Sequence, residues 1–241
     1  MRKSVHMRGL ASAVGAALIA AAALVPIHAI AESSDRDSGA TTGEWTARWW
    51  KWALDIPADR NPLTDASGAF CAEAQKGPVW FLAGWFGTGM VERNCTIPKG
   101  KSILFPIYNW IWVQTSGDVP TNTEADYRQC AAGLPPNVLG CEGVAPVAGH
   151  VDASLDGVPV FLNFRTPITR TQSPLFHVKW RAGNIFGVIP ELETCTKCGE
   201  AVSDGYWVAL PPLKPGPHVL RILATDGTNE RQNITYHLLV Q

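Results

Sequence analysis

The chain has 241 residues, 46% of them hydrophobic and 17% charged, with a formal net charge of −1. That balance excludes a disordered, collagen-like or coiled-coil protein, and without a concentrated basic surface nucleic acid is not the expected main partner. Beyond the N-terminus no stretch is apolar for the roughly 18 residues that a membrane span needs.

Residues 1–31 have the pattern of a secretory signal. Arg2, Lys3 and Arg8 form a basic start, Leu10 to Val25 is an Ala-rich apolar run, Pro26 breaks it, and Ala29-Ile30-Ala31 is a small-x-small cleavage site before Glu32. The expectation is a secreted or periplasmic protein with no membrane span once the signal is removed. All six cysteines (Cys71, Cys95, Cys130, Cys141, Cys195 and Cys198) lie after that segment. An even number in an oxidising compartment predicts disulfides. Pairing nearest neighbours is the simplest connectivity, with Cys71–Cys95 and Cys130–Cys141 closing loops worth roughly 3 kcal/mol each.

Residues 32–43 are polar and read as a flexible leader, with a single domain over 44–241. Thr41-x-x-Glu44 is a capping-box signature that predicts a helix start. In that helix Trp45, Trp49 and Trp52 recur at i, i+4 and i+7, the spacing of a face that packs on a core. Trp50 falls off that face and is the better candidate for an exposed ring.

Strand patterns follow. Pro78 to Ala83 and Ser102 to Val113 are apolar on both alternations, as in central strands covered on both faces, with Pro106 limiting the regularity of the second. Thr115 to Pro146 is rich in Gly, Pro and Asn and reads as a long loop pinned by Cys130 and Cys141. From His150, residues Val151, Ala153 and Leu155 alternate with polar ones. Asp156-Gly157 then turns the chain into a second strand, Val158–Arg165. Tyr206–Leu210, Val219–Ala224, the turn Asp226–Asn229 and Ile234–Val240 complete the series. Many short strands between Gly, Pro and Asp turns predict an all-β sandwich, immunoglobulin-like or jelly-roll, with one N-terminal helix.

Three stretches carry a resemblance: Gly77-Pro78-Val79-Trp80-Phe81-Leu82-Ala83-Gly84, Cys95-Thr96-Ile97-Pro98-Lys99-Gly100-Lys101, and Asp204-Gly205-Tyr206-Trp207 followed by Leu210 to His218. Together they resemble a family of secreted bacterial proteins of uncharacterised activity, so the resemblance implies export and no reaction. Leu213-x-Pro215-Gly216-x-His218 with Ala224-Thr225-Asp226-Gly227 resembles the closing hairpin of bacterial immunoglobulin-like modules, which implies fold alone.

Most catalytic motifs fail on inspection. Gly100-Lys101-Ser102 lacks the glycine of a phosphate loop, because Cys95 stands there. Gly87-Thr88-Gly89 has Glu92 where a dinucleotide fingerprint needs its third glycine. Cys195-Thr196-Lys197-Cys198 sits between β-segments without a second pair, which favours a small disulfide loop over a redox couple or zinc site. His150 and Asp152 share a strand face, more simply a solvated face than a metal site or dyad. No cofactor or metal is expected. Among the carboxylates Asp55, Asp59, Asp65, Glu92, Glu191 and Asp204, the last is the catalytic candidate, beside Gly205-Tyr206-Trp207.

Ten tryptophans are the most unusual feature of the composition. Trp80, Trp110 and Trp112 lie in apolar runs and are expected to be buried. Trp50, Trp85 and Trp207 are the candidates for stacking on sugar faces, with Arg93, Asn109 and His218 as polar binding candidates. The leading expectation is an extracytoplasmic module that binds a glycan or envelope polymer. A small secreted polysaccharide hydrolase and a structural or protein-interaction component of the envelope are the alternatives.

Overall fold

Helix α1 (Thr42–Asp55) begins where the capping box places it: the Glu44 amide donates to the Thr41 hydroxyl and the Thr41 amide to the Glu44 carboxylate. It is seen in a computed structural model of the protein, which describes residues 39–114, 123–133, 149–163, 168–189, 197–226 and 229–241. The signal segment, residues 32–38 of the leader, Cys141, Glu191 and Cys195 lie outside the described residues. The end of the leader is folded, with Ala40 buried and Thr42 and Gly43 already in the helix.

Two five-stranded sheets make up the body. The first has the order β1 (Val79–Phe81), β3 (Ser102–Val113), β8 (Glu200–Leu210) and β6 (Thr169–Gln172), with β7 (Phe176–His177) also paired to β8. The second runs β2 (Val91–Ile97), β10 (Glu230–Val240), β9 (Gly216–Thr225), β4 (His150–Leu155) and β5 (Val158–Pro159). Pairings are antiparallel except β1 with β3 and β2 with β10. One core joins a face of each sheet: Phe105, Ile107 and Val208 from the first, Leu220, Ile222 and Leu238 from the second. The other face of the first sheet packs on α1, where Trp49 meets Trp207 edge-on at 5.4 Å and Trp52 meets Phe81 at 5.5 Å. Being covered on both faces explains why β1 and β3 read as continuous apolar runs.

The hairpins form where the turns predict them. Asp156 and Gly157 both take positive φ, 52° and 79°, the requirement of a tight two-residue turn between β4 and β5. In β10 Ile234, Tyr236, Leu238 and Val240 are buried and His237 and Leu239 exposed, as the alternation requires. Pro106 marks a register shift between β3 and β8, with Pro106 opposite Trp207 and Tyr108 opposite Tyr206.

Two expectations are corrected. The strand expected over Val158–Arg165 ends at Pro159, which has no N–H to continue a ladder, and a helical turn, α3 (Val160–Asn163), follows. Within the expected long loop lies a second helix, α2 (Glu124–Ala132), with its own capping box between Thr123 and Asp126 and a left-handed cap at Gly133. Tyr127 of α2 stacks on Trp112 at 4.4 Å.

Cys71 and Cys95 are bonded, tying the segment before β1 to β2. Cys130 and Cys198 are each in a disulfide as well, and no described cysteine is free. Among the described residues no helix is long and apolar enough to cross a membrane.

Candidate functional site

The bulge that Pro106 introduces into β3 changes what the second half of the strand does. Before it the side chains fill the two cores; after it Tyr108, Asn109 and Trp110 are half-buried. These three, with Ile111 and Val113, form one wall of a cavity of about 830 Å³. That size lies within the range of small-molecule sites.

The loop between β1 and β2 forms a second wall, the start of β10 a third, and the segment after β7 a fourth, carrying Trp180 and Phe186. Trp50 of α1 and Leu63 also line the cavity.

Side-chain hydrogen bonds hold three of these walls. The Gln232 side chain clamps the Trp85 backbone, its Oε1 accepting from the amide at 2.7 Å and its Nε2 donating to the carbonyl at 2.9 Å. Arg93, 1% exposed, donates through Nη1 to the carbonyls of Ala83 and Gly84 at 3.0 Å and to the Tyr236 hydroxyl at 2.7 Å. Its guanidinium carbon lies 5.5 Å from both the Trp85 and Tyr236 ring centres, within cation–π range. Burial raises the Tyr236 hydroxyl pKa above the ordinary phenol value despite the opposing Arg93 charge, so this hydroxyl stays protonated and donates to the Ala83 carbonyl at 2.8 Å. Asn184 folds the fourth wall, bonding the carbonyls of Arg181 and Val188 and the amides of Phe186 and Val188. Arg181 is ion-paired to Asp55 of α1.

Two phenylalanines from different loops meet at the mouth. Phe86 and Phe186, 45% and 43% exposed, stack with centres 6.1 Å apart and planes 21° off parallel. Trp180 meets the edge of Phe186 at 6.2 Å. Burial raises the Tyr108 phenol pKa, with Arg231 opposing and Asp226 reinforcing the shift. Three buried N–H donors on residues of the cavity wall have no protein partner: Trp50 Nε1, Asn109 Nδ2 and Trp180 Nε1.

The structure brings Trp50, Trp85 and Asn109 together at this cavity and places Arg93 behind it, whereas Trp207, His218 and Asp204 are elsewhere. Trp50 is not an exposed ring as expected: it is 2% exposed, because the β7–β8 segment covers α1 beyond its tryptophan stripe. Trp207 is likewise corrected, being 1% exposed beneath Trp49. Trp110, expected in the core, is a wall residue instead. Sequence reasoning missed Tyr108, Phe86, Trp180, Phe186 and Gln232. The glycines around Phe86 (Gly84, Gly87, Gly89) and Phe186 (Gly183, Gly187) were the available sign of aromatic-tipped loops.

Asp204 is committed to structure. Its side chain accepts from Arg170 Nε at 2.9 Å and Gln172 Nε2 at 3.2 Å, and the bond to Asp204 is the main reason the Arg170 pKa is raised. Asp55 pairs with Arg181, Glu92 with His237, and Asp65 caps the backbone of Ser67 and Phe70. Among the described residues no group of three or more His, Cys, Asp and Glu side chains is placed to hold a metal ion.

His218 braces the β4–β5 turn. Its Nδ1 lies 2.8 Å from Asp156 Oδ2 and its Nε2 2.9 Å from the Lys214 carbonyl. Burial lowers its pKa, but the bonds to Asp156 and Lys214 and the Asp156 charge outweigh that and raise it, since both ring nitrogens face acceptors. For Asp156 burial acts upward, but the bonds from His218 and the Val219 amide lower the pKa below 3.8. The histidine contribution is complete below its unfolded value near 6.5 and is lost as pH rises through the raised folded value. The aspartate contribution holds above its unfolded pKa and is lost as pH falls. Stability is therefore expected to decline above about pH 6.5 by less than about 1 kcal/mol, given the exposure of Asp156. Urea midpoints measured across pH on the native chain and His218→Gln check this; an equal slope in both would remove His218 as its source.

Comparison of the chain with family models, with curated proteins and with solved structures gives no match.

Proposed function

We propose that the protein is an exported binding module that takes a segment of a glycan or envelope polymer into the aromatic cavity. The two sheets that share one core are read here as a β-sandwich of immunoglobulin-like or jelly-roll type, and the disulfides fit an extracytoplasmic compartment. The observation that carries the reading is the aromatic lining of the cavity, where Trp85, Phe86, Tyr108, Trp110, Trp180 and Phe186 surround one open space. A sugar offers a flat apolar face to the rings and hydroxyl groups to polar side chains of the lining, Arg231 and Asn233 among them.

Binding is favoured over hydrolysis by the carboxylates. Glycosidases work with a facing pair of acids. Among the described residues of the cavity wall Glu230 is the one carboxylate, and it accepts a hydrogen bond from Asn233 at 2.8 Å.

The test is a calorimetric titration with cello-, malto- and chito-oligosaccharides, with the same solutions analysed for shortened products. Saturable binding without products is expected for at least one series, and Trp110→Ala is expected to weaken it about 10-fold. Saturation by alkyl ligands alone would overturn the glycan reading, and shortened products would make the protein a hydrolase.

A further inference from the structure

We propose that a second pocket binds the carboxylate-bearing ring of an acidic sugar. The pocket has a volume of about 350 Å³ and shares α1 and the β7–β8 segment with the cavity as walls. The cavity takes Trp50 from α1 and Trp180 from the segment, whereas this pocket takes Lys51 and Trp52 from α1, His177 from the end of β7 and Lys179 from the segment.

Its charge is one-sided. Lys51 from α1, Lys76 from the segment before β1 and Lys179 after β7 line it from three separate parts of the chain, together with His177. Among the described residues none of the three lysines has a carboxylate within ion-pair distance. The one acid in the lining, Asp55, is already taken by Arg181. Like charges gathered at one pocket repel one another, and a bound anion relieves that repulsion. The pocket is also aromatic: Trp52 and Phe81 line it, and Lys51 Nζ lies 5.7 Å from the centre of the Phe176 ring.

This composition separates classes of anion. Lysines are point charges without the planar fork that an arginine offers to phosphate. An aromatic wall adds contact with a ring and none with a bare phosphate. A sugar ring bearing a carboxylate satisfies both, with the ring against Trp52 and the acid among the ammonium groups. The site does not depend on the cavity being occupied.

The experiment is an amide and indole NMR titration with sodium glucuronate, glucose and inorganic phosphate at constant ionic strength. Glucuronate is expected to give saturable shifts at the Trp52 indole N–H, which is anchored to the Glu73 carbonyl at 2.9 Å, and at the amides of His177 to Lys179. The expected dissociation constant is about millimolar. Glucose is expected to leave these signals unmoved. The triple variant Lys51→Gln, Lys76→Gln, Lys179→Gln replaces exposed side chains, so its spectrum stays dispersed, while glucuronate affinity falls about 10-fold or more. Binding of glucose as tight as glucuronate, or of phosphate as tight as glucuronate, would overturn the proposal, as would the absence of saturation or an unaffected triple variant. Shifts of the Trp110 and Trp180 indoles report the cavity separately, so failure of one site is distinguishable from failure of the other.

Discussion

Replacing Arg93 with methionine is expected to lower stability by about 2 kcal/mol and to weaken binding in the cavity more than 10-fold. Arg93 occupies a core position of β2, where Val91, Cys95 and Ile97 are apolar and also buried. Two opposing effects set the size of the change. The variant loses the bonds that the two Nη1 hydrogens share among the Ala83 and Gly84 carbonyls and the Tyr236 hydroxyl, at about 1.5–3 kcal/mol per hydrogen. Against that, it no longer buries a guanidinium whose Nε and Nη2 have no partner. Ala83 keeps the Tyr236 hydroxyl as a donor, so Gly84 is the carbonyl left exposed to the loss. The bonds outweigh the relief, but not by their full sum. Binding suffers more because Gly84 and Trp85 belong to the β1–β2 loop that carries Phe86, and Arg93 holds that loop from behind. Urea unfolding and oligosaccharide titration read the two effects. A variant as stable as the native chain would show that the buried charge costs as much as its bonds return. Unchanged affinity would show that Gln232 alone positions Trp85.

Much of the fold is legible because its signals are local. Thr41 and Glu44 are three residues apart, Asp156 and Gly157 adjacent, and the β10 alternation lies within one strand, so period and turn chemistry suffice. The polar strand β6 (Thr169-Arg170-Thr171-Gln172) carries no such signal. It pairs with β8 through backbone bonds and places Arg170 and Gln172 on Asp204. That arrangement also explains why Asp204 resembled a catalytic acid in the sequence: a polar residue in an apolar strand marks either a reaction or a structural ion pair, and the partner lies 34 positions away. Similarly, α2 was hidden in a stretch rich in Gly and Pro, although Thr123 and Asp126 form the same box as Thr41 and Glu44.

The cavity was legible only in its materials. Trp85 and Gln232 are 147 residues apart in the chain, and nothing near either residue announces the other. An aromatic residue in an apolar run is ambiguous until the covering element is known. Trp207 lies under α1, whereas Trp110, on the strand paired with it, lies beyond the bulge where the wall opens. The departures from pattern were the better guide: Arg93 at a core position, Asn109 between two apolar stretches, and glycines flanking aromatic rings. A sequence that breaks its own local rules tends to do so where it binds something.

Gly205→Ala is expected to cost about 3 kcal/mol and to abolish measurable binding in the cavity. Gly205 stands opposite Asn109 where β8 crosses the bulged part of β3. A Cβ there would lie 2.5 Å from the Asn109 Cα and Cβ and 2.7 Å from the Tyr108 carbonyl oxygen. All of these are backbone or backbone-proximal atoms, so no side-chain rotation relieves the clash and the strands must separate. The Gly205 backbone is not in the left-handed region, so the penalty comes from crowding and not from φ. Because β8 also pairs with β6 and β7 and is covered by α1, it cannot retreat freely, and β3 yields at its bulge. Tyr108 and Asn109 then move out of the cavity wall, and its shape no longer fits the ligand. The affinity loss should thus exceed what general destabilisation produces. Measuring binding well below the unfolding midpoint separates the two effects. Native affinity in a destabilised variant would limit Gly205 to holding the sheet together, whereas loss of binding in a folded variant would tie the Asp204-Gly205-Tyr206-Trp207 motif to the shape of the site.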